Sequence, residues 1–139
     1  KILVEMGVPN KGTAFDDPEI DSIYEAYQSP RSKYFIVEEN NIIKGGAGIC
    51  QLKNEAYEIC ELQKMYFDSM MRGKGLGSLM IEKCLNFAKE NKFKICYIET
   101  MPNMLDAQKL YLKFGFKYIY FPMGNTGHFA CPIWMIKSL

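Results

Sequence analysis

The sequence is poor in the features that metal sites, nucleic-acid binding and membrane spans require. Its 139 residues include one histidine and five cysteines without C-x-x-C spacing, so a zinc site is not expected. The 17 basic residues balance 16 acidic ones and form no basic cluster with interleaved aromatics, which argues against nucleic-acid binding. Apolar runs are short, whereas a membrane span needs about 20 residues. We therefore expect no metal, no nucleic-acid partner and no membrane span.

The rest of the composition predicts one globular domain over residues 1–139. Apolar residues make up 48% and charged residues 24%, which are ordinary proportions for a folded chain. Cys60, Cys84 and Cys96 lie among apolar neighbours, where a free thiol behaves as a small buried hydrophobe. The N-terminus also lacks the order of basic, apolar and small residues of a secretory signal. These features predict reduced core thiols and a cytoplasmic location.

Apolar spacing and turn residues predict a mixed α/β sheet. A first helix is expected to begin at Asp17 and Pro18 and to end near Ser29. The predicted strands cover residues 34–37, 42–52, 57–67, 95–100, 116–121 and 133–136, and further helices run from the glycines near 77 to about 90 and over 105–114. The first three strands follow one another in antiparallel succession. The strands at 57–67 and 95–100 flank a helix, so this crossover requires them to be parallel.

Two details of these strands bear on a site. Simple alternation along 57–67 places Glu61 and Met65 on one face of the sheet. In the preceding strand, Gly45, Gly46 and Gly48 indicate a bulge, or the close approach of a ligand or of neighbouring backbone.

The most informative segment is the glycine-rich run that joins the strand at 57–67 to the next helix. It reads Arg72-Gly73-Lys74-Gly75-Leu76-Gly77-Ser78. Alternate glycines remove the Cβ atoms that would keep a ligand from the backbone. The N–H groups at a helix start lack intrahelical partners and lie at the positive end of the helix dipole. With Arg72 and Lys74 nearby, the run is suited to a diphosphate.

Spacing separates the nucleotide-binding motifs that such a run could represent. A Walker A loop needs four residues between its first glycine and Gly-Lys-Ser/Thr, and this sequence lacks that arrangement. A dinucleotide fingerprint needs Gly or Ala where Ser78 stands. The remaining pattern, Arg72 with Gly75 and Gly77, resembles motif A of the GNAT superfamily of N-acetyltransferases, Gln/Arg-x-x-Gly-x-Gly/Ala.

The resemblance extends over about residues 18–137. Residues 64–67 resemble the family's preceding strand, and residues 103–111 followed by Phe114-Gly115-Phe116 resemble motif B, Ala-x-x-Leu-Tyr-x-x-x-Gly-Phe. The resemblance implies a mixed, mostly antiparallel sheet with a central, splayed parallel strand pair flanked by helices. It also implies that acetyl-CoA is the cosubstrate and lies between the splayed strands. The corresponding cofactor-binding residues are Met65, Tyr66, Phe67, Arg72, Gly73, Lys74, Gly75, Leu76, Gly77, Ser78, Asn103, Ala107 and Tyr111.

By the same resemblance, the backbone of Met65 and Phe67 pairs with the pantetheine arm, and N–H groups near Met65 and Tyr66 stabilise the oxyanion. Tyr111 matches the motif B tyrosine that points at the CoA sulfur in many relatives, the alternative being a packed aromatic. Glu61 stands where several members carry a glutamate that serves as general base, the alternative being a paired carboxylate.

Other positions keep two interpretations. Asn103 lies one residue earlier than the family's asparagine, and helix capping is a comparable role for it. His128 and Cys131 could line the acceptor pocket, but His128 also fits an exposed loop. Residues 1–6 resemble the tail of the family's first helix, which predicts that its first strand is missing from this sequence.

The resulting functional prediction is an enzyme that transfers acetyl from acetyl-CoA to a primary amine by direct attack in a ternary complex. The acceptor is an unidentified small molecule or peptide, and the family is compatible with a homodimer. The alternative is a noncatalytic acyl-CoA-binding or sensor module of the same fold.

Overall fold

The described part of the chain forms one seven-stranded sheet and two helices. In a computed structural model, residues 2–6, 27–52, 55–67, 75–124 and 133–139 are described, with backbone only at 2–6, 66 and 67. The strands are β1 (Ile2–Met6), β2 (Lys33–Glu39), β3 (Ile42–Gln51), β4 (Ile59–Phe67), β5 (Ile95–Thr100), β6 (Lys117–Ile119) and β7 (Ile133–Ser138). The helices are α1 (Leu76–Glu90) and α2 (Leu105–Lys113).

The order of strands in the sheet is β1-β2-β3-β4-β5-β7-β6. The pair formed by β4 and β5 is parallel and is connected through α1, whereas the other neighbours are antiparallel. The predicted fold class and the parallel crossover are thereby confirmed. Gly115 ends α2 with a φ of 93°, the left-handed stop that its position predicted.

The interpretation of residues 1–6 as a helix tail is wrong. Ile2–Met6 is strand β1, and it pairs with β2 from Ile2 opposite Glu38 to Met6 opposite Tyr34. Six residues are too few to show a helical period, and Ile and Val favour the extended backbone that an adjacent strand can pair with. The expectation of a missing first strand depended on that helix and loses its basis. The helix predicted between Asp17 and Ser29 lies almost wholly outside the described residues.

The main core lies between the sheet and the two helices. Helix α1 contributes apolar side chains at helical spacing, because positions three and four apart share a face. They are Met80, Ile81, Cys84, Leu85 and Ala88. These side chains meet Phe35 and Val37 of β2, Ile49 of β3 and Cys60 and Leu62 of β4, and Tyr111 of α2 joins the same cluster. Burial of each large apolar side chain contributes about 1.5–3 kcal/mol, so this interface dominates the stability of the fold.

The opposite face of the sheet carries a smaller cluster. Leu52, Ile59 and Tyr97 form its centre, with Trp134 packed against them. Because neighbours along a strand alternate between faces, Ile59 belongs to this cluster and Cys60 to the main core. The two clusters therefore identify the face on which each β4 side chain lies.

Arg31 joins the segments that lead into β4 and β5. Its guanidinium carbon lies 3.5 Å from the centre of the Tyr57 ring and 3.8 Å from that of Phe93. Its nitrogens donate to the carbonyl oxygens of Tyr57, at 2.8 Å, and of Asn91, at 3.0 and 3.1 Å. The Lys94 N–H donates to Glu58 O at 2.7 Å and closes the same end of the sheet.

Within the described part of the chain, no helix combines the length and apolar character required to cross a membrane.

Candidate functional site

Strands β4 and β5 separate part of the way along the sheet. They pair only from Ile59 opposite Ile95 to Glu61 opposite Tyr97, although both strands continue. Beyond that point, among the described strands, β4 pairs with β3 alone and β5 with β7 alone. A gap with edge backbone on both sides therefore opens beyond Glu61 and Tyr97, where the resemblance places the cosubstrate.

A bulge in β4 accompanies this separation. Gly48 of β3 lies opposite Gln63, but Gly46 lies opposite Tyr66, so two β4 residues occupy the place of one. Lys64 is the residue with the unusual backbone, because its φ of 55° lies in the left-handed region. For a side chain with a Cβ that conformation costs about 1–2 kcal/mol. The bulge therefore shifts the alternation of faces along β4 by one residue from Met65 onward.

The prediction that Glu61 and Met65 share a face is therefore wrong. Met65 packs against the main core, on the face of the helices. Glu61 lies opposite Tyr97 of the smaller cluster, and cross-strand partners share a face. The extra residue at Lys64 explains the difference, since simple alternation would have put both side chains together.

Glu61 is buried and takes part in a polar network on that second face. Its side chain is only 4% exposed. The Gln63 amide donates to Glu61 Oε1 at 2.8 Å, and the Tyr27 hydroxyl donates to Gln63 Oε1 at 2.5 Å. Burial raises the pKa of Tyr27 well above its ordinary value, so its hydroxyl stays a donor at neutral pH.

The glycines of β3 make room for two tyrosine rings. A Cβ at Gly46 would lie 2.5 Å from Cε1 of Tyr34, and a Cβ at Gly48 would clash with the ring of Tyr27. The glycine pattern predicted a bulge, or the close approach of a ligand or of neighbouring backbone. A bulge occurs in β3, where Val37 pairs with Gly45 and Glu38 with Ile43, so that Lys44 is extra. The groups that approach Gly46 and Gly48 are tyrosine side chains, not a ligand or backbone.

Sequence patterns did not single out Tyr27 and Tyr34, because only the folded sheet places them beside β4. Gln63 lies two residues from Glu61 in the same strand, so alternation alone puts the two side chains on one face.

The N-terminus of α1 has no side-chain cap from the described residues. Gly75 is its N-cap with a φ of 75°, and its first turn has no acidic residue. A Cβ at Gly75 would meet nothing within 4 Å. Leu76, Gly77 and Ser78 form the first turn, so their N–H groups remain for an anion. Arg72, Gly73 and Lys74 of the predicted site lie outside the described residues.

Tyr111 occupies the helix side of the sheet. It is 6% exposed, and its ring centre lies 5.9 Å from that of Phe116. Desolvation by burial, with smaller contributions from Cys96 and Cys84, raises the pKa of Tyr111 to about 12. The phenol is therefore protonated throughout the neutral range. Ala107 lies one turn earlier on α2 and is half-buried against the same core.

The segment before α2 is held by a side chain that the sequence patterns did not single out. Gln108 Nε2 donates to Met101 O at 2.8 Å, and the Tyr118 hydroxyl donates to Gln108 Oε1 at 2.8 Å. Asn103 is exposed, and the N-cap of α2 is Met104 without a side-chain cap bond. The capping role considered for Asn103 is therefore wrong.

The cysteines that the structure describes behave as core residues. Cys60, Cys84 and Cys96 are buried free thiols, as predicted, and burial raises the pKa of Cys84 and of Cys96. Among the described residues, no group of three or more His, Cys, Asp and Glu could hold a metal ion. His128 and Cys131 lie outside the described residues.

The separated β4–β5 pair and the start of α1 after Gly75 agree with the family that comparison with known proteins identifies. The model of the Acetyltransferase (GNAT) family matches residues 3–116. The chain belongs to this family and is an N-acetyltransferase. It is 39% identical over 140 residues to YjgM, an uncharacterised N-acetyltransferase of Escherichia coli, and the match covers 100% of this chain and 84% of that protein.

Solved structures share the fold. An acetyltransferase of the GNAT family from Staphylococcus aureus superposes with a TM-score of 0.79 at 18% identity, covering 99% of both chains. An aminoglycoside 6′-N-acetyltransferase complexed with coenzyme A superposes with a TM-score of 0.72 at 15% identity, covering 99% of this chain and 97% of that one. At these identities the likeness is one of fold.

Proposed function

We propose that the chain, as a single domain, transfers the acetyl group of acetyl-CoA to a primary amine of a small-molecule or peptide acceptor. The amine attacks directly in a ternary complex. The observation that carries this proposal is the gap between β4 and β5, which leaves strand-edge backbone available beside the open N-terminus of α1. The aminoglycoside acetyltransferase of the same fold is complexed with coenzyme A, which supports the same ligand class here.

The residues around the gap fit the two ends of acetyl-CoA. Backbone of Met65 to Phe67 lies beyond the last β4–β5 pair, where an extended pantetheine arm can add to the strand edge. The first turn of α1 offers N–H groups to the diphosphate, and Gly75 leaves space for it. We further propose that Arg72, Gly73, Lys74 and Asn103 contribute to the cofactor site.

Glu61 is the proposed general base. The thioester supplies an activated acetyl group, and the protein must remove a proton from the amine that attacks it. The Gln63 amide orients Glu61 Oε1 by the 2.8 Å bond, so the carboxylate is held in one position before the acceptor arrives. The carboxylate accepts the proton directly or through one water.

Tyr111 is the proposed donor to the departing sulfur. Its pKa of about 12 lies well above the value near 8.5 that is ordinary for a thiol. Full proton transfer from the phenol to a thiolate would therefore be uphill by roughly 5 kcal/mol. The phenol serves better as a hydrogen-bond donor that stabilises the thiolate until solvent protonates it.

The two groups lie on opposite sides of the sheet. Glu61 belongs to the face of the smaller cluster, and Tyr111 belongs to the face of the helices. A direct attack uses both sides of the gap. The amine loses its proton on the Glu61 face, and the departing CoA thiolate is stabilised on the Tyr111 face. This separation supports a ternary complex in which the acceptor enters from the Glu61 face.

Purified protein tests the proposal. Calorimetry measures acetyl-CoA binding, and a thiol-reactive dye measures CoA released in the presence of single amines, from metabolites to lysine peptides. We expect binding and amine-dependent release of CoA. Tight binding without release on any amine would instead favour the noncatalytic sensor. The buried free thiols Cys60, Cys84 and Cys96 support a working location in the reducing cytoplasm.

A further inference from the structure

The bulge in β4 has a hydrogen-bond partner in β2. Tyr34 of β2 is fully buried, and its hydroxyl donates to the carbonyl oxygen of Lys64 at 2.8 Å. Lys64 is the bulge residue with the φ of 55°. The bond reaches from β2 across β3 to β4, so a residue two strands away contacts the backbone where β4 changes its alternation.

That contact replaces a ladder hydrogen bond that the bulge removes. The extra residue of a bulge is left out of the regular ladder, so its carbonyl oxygen needs another partner, and the Tyr34 hydroxyl supplies one in a partly buried bond. The competing arrangement is a regular ladder with Lys64 opposite Ala47 and Met65 opposite Gly46. In that register Met65 would move to the other face of the sheet, and the backbone that follows it would be shifted by one residue. The Tyr34 bond favours the bulged register over the regular one.

Gly46 completes the arrangement. A Cβ at this position would lie 2.5 Å from Cε1, 2.7 Å from the hydroxyl oxygen and 2.9 Å from Cζ of Tyr34. These separations are shorter than van der Waals contact, so any larger residue would displace the ring from the Lys64 carbonyl. Tyr34, Gly46 and Lys64 form one unit, which we call the bulge lock.

We propose that Tyr34 is a positioning residue for the pantetheine arm of acetyl-CoA, acting through the bulge lock on the backbone of Met65, Tyr66 and Phe67. This inference rests on the proposed function, because it assigns a purpose to the strand edge that acetyl-CoA would use. The diphosphate end of the cosubstrate would be held elsewhere, at the start of α1. Loss of the lock should therefore weaken contacts to the arm and spare contacts to the diphosphate.

The test compares two ligands on Tyr34→Phe. Calorimetry gives Kd for CoA and for 3′-phospho-ADP, the part of CoA that remains when the pantetheine arm is removed. We expect Kd for CoA to rise roughly 3- to 10-fold, the range for loss of one buried hydrogen bond, and Kd for 3′-phospho-ADP to stay within twofold. A merely structural role would leave the ratio of the two Kd values unchanged, whatever happens to Tm.

Tyr97→Phe is the matched control. Tyr97 is also fully buried, and its hydroxyl bonds Glu99 Oε2 at 2.7 Å and the Met123 N–H at 3.1 Å. Its substitution removes a buried hydroxyl of the same kind without contacting Lys64. We expect a lower Tm with the wild-type ratio of Kd values. An equal change of ratio in both variants would overturn the specific role of Tyr34.

A second substitution tests the mechanism by rescue. Glycine adopts a positive φ without the steric cost of a Cβ, so Lys64→Gly should hold the bulge with less help from Tyr34. We expect the double variant Tyr34→Phe/Lys64→Gly to recover most of the CoA affinity that Tyr34→Phe loses, compared with Lys64→Gly alone. No recovery would contradict the lock. If Tyr34→Phe does not fold, Gly46→Ala provides the same comparison, because its Cβ displaces the Tyr34 ring.

The outcomes separate this inference from the proposed function. If wild-type protein binds neither CoA nor acetyl-CoA, the proposed function fails, and the positioning role fails with it. If wild-type protein binds and turns over but Tyr34→Phe keeps the wild-type ratio of Kd values, only the positioning role of Tyr34 is overturned.

Discussion

The β4–β5 pair has a closed end and an open end, and the two ends use backbone groups differently. At the closed end, β4 and β5 are hydrogen-bonded to each other, and Arg31 stacks between Tyr57 and Phe93 while bonding carbonyls of both connecting segments. At the open end, the strands part, Lys64 leaves the regular ladder, and α1 begins after Gly75 without a side-chain cap from the described residues. Among the described residues, backbone groups of the two strands are paired with each other at one end and not at the other.

The contrast indicates that stability and binding depend on different residues of the same two strands. A strand pair can open at one end only if the other end keeps its register, because a shift of one residue reverses every side chain. The closed end should therefore govern unfolding, and the open end should govern ligand affinity and turnover. Four substitutions test this division, and they follow in order of decreasing expected effect.

Glu61→Gln removes the proposed base at the point where the two ends meet. We expect kcat to fall by about 10²- to 10⁴-fold, the usual contribution of a general base, with little change in Kd for acetyl-CoA. Steady-state release of CoA measures the first quantity and calorimetry the second. Glu58→Gln, at an exposed carboxylate before β4, is the control and should keep wild-type kcat. A kcat for Glu61→Gln near that of the control would leave Glu61 as a structural carboxylate.

Gly75→Asp places a negative charge and a side chain at the open helix start. We expect acetyl-CoA affinity to fall at least about 100-fold, because the carboxylate would repel the diphosphate and occupy its space. Gly75→Asn is the matched control, since Asn has nearly the same size, tolerates the left-handed backbone and carries no charge. Calorimetry should show a clearly smaller loss for Asn. Unchanged binding by the Asp variant would refute the assignment of this turn to the diphosphate.

Arg31→Ala disrupts the closed end. We expect the free energy of unfolding to fall by about 2 kcal/mol, from the loss of two stacking contacts and several charged hydrogen bonds. Denaturant unfolding measures the loss, and Arg31→Lys should recover only part of it because Lys lacks the planar fork. Kd for CoA should stay within about twofold when measured well below the unfolding midpoint. A large loss of affinity would show that the two ends are not independent.

Tyr111→Phe removes one hydroxyl and keeps the ring that packs on Phe116. We expect kcat to fall by roughly 10-fold, consistent with one hydrogen bond to a developing thiolate, and Kd for acetyl-CoA to change little. Burial raises the pKa of Tyr111 to about 12. At pH values up to about 10, ionisation of this phenol should therefore not reduce the kcat of the wild-type enzyme. Rates measured across pH check both points. An unchanged kcat in the variant would reduce Tyr111 to a packing role.

Local patterns were sufficient for much of the fold. Helix α1 and strand β5 follow from apolar periodicity within a single segment, and the positive φ of Gly115 follows from the glycine itself. The segment Ile2–Met6 is too short to show a helical or a strand period, and only its pairing with β2 shows that it is a strand. Short edge segments depend on a neighbour that the local sequence does not reveal.

The sequence by itself determined the chemistry that is available: glycines at a helix start, Glu61 on a strand and Tyr111 on a helix, in an order that resembles motifs A and B. Tertiary structure decided where those groups lie. It put Glu61 and Met65 on opposite faces through the bulge at Lys64, and it brought Tyr27 and Tyr34 from distant parts of the chain to Gln63 and Lys64 of β4. The reason is physical: alternation is a local property, whereas a bulge is stabilised by partners distant in the chain.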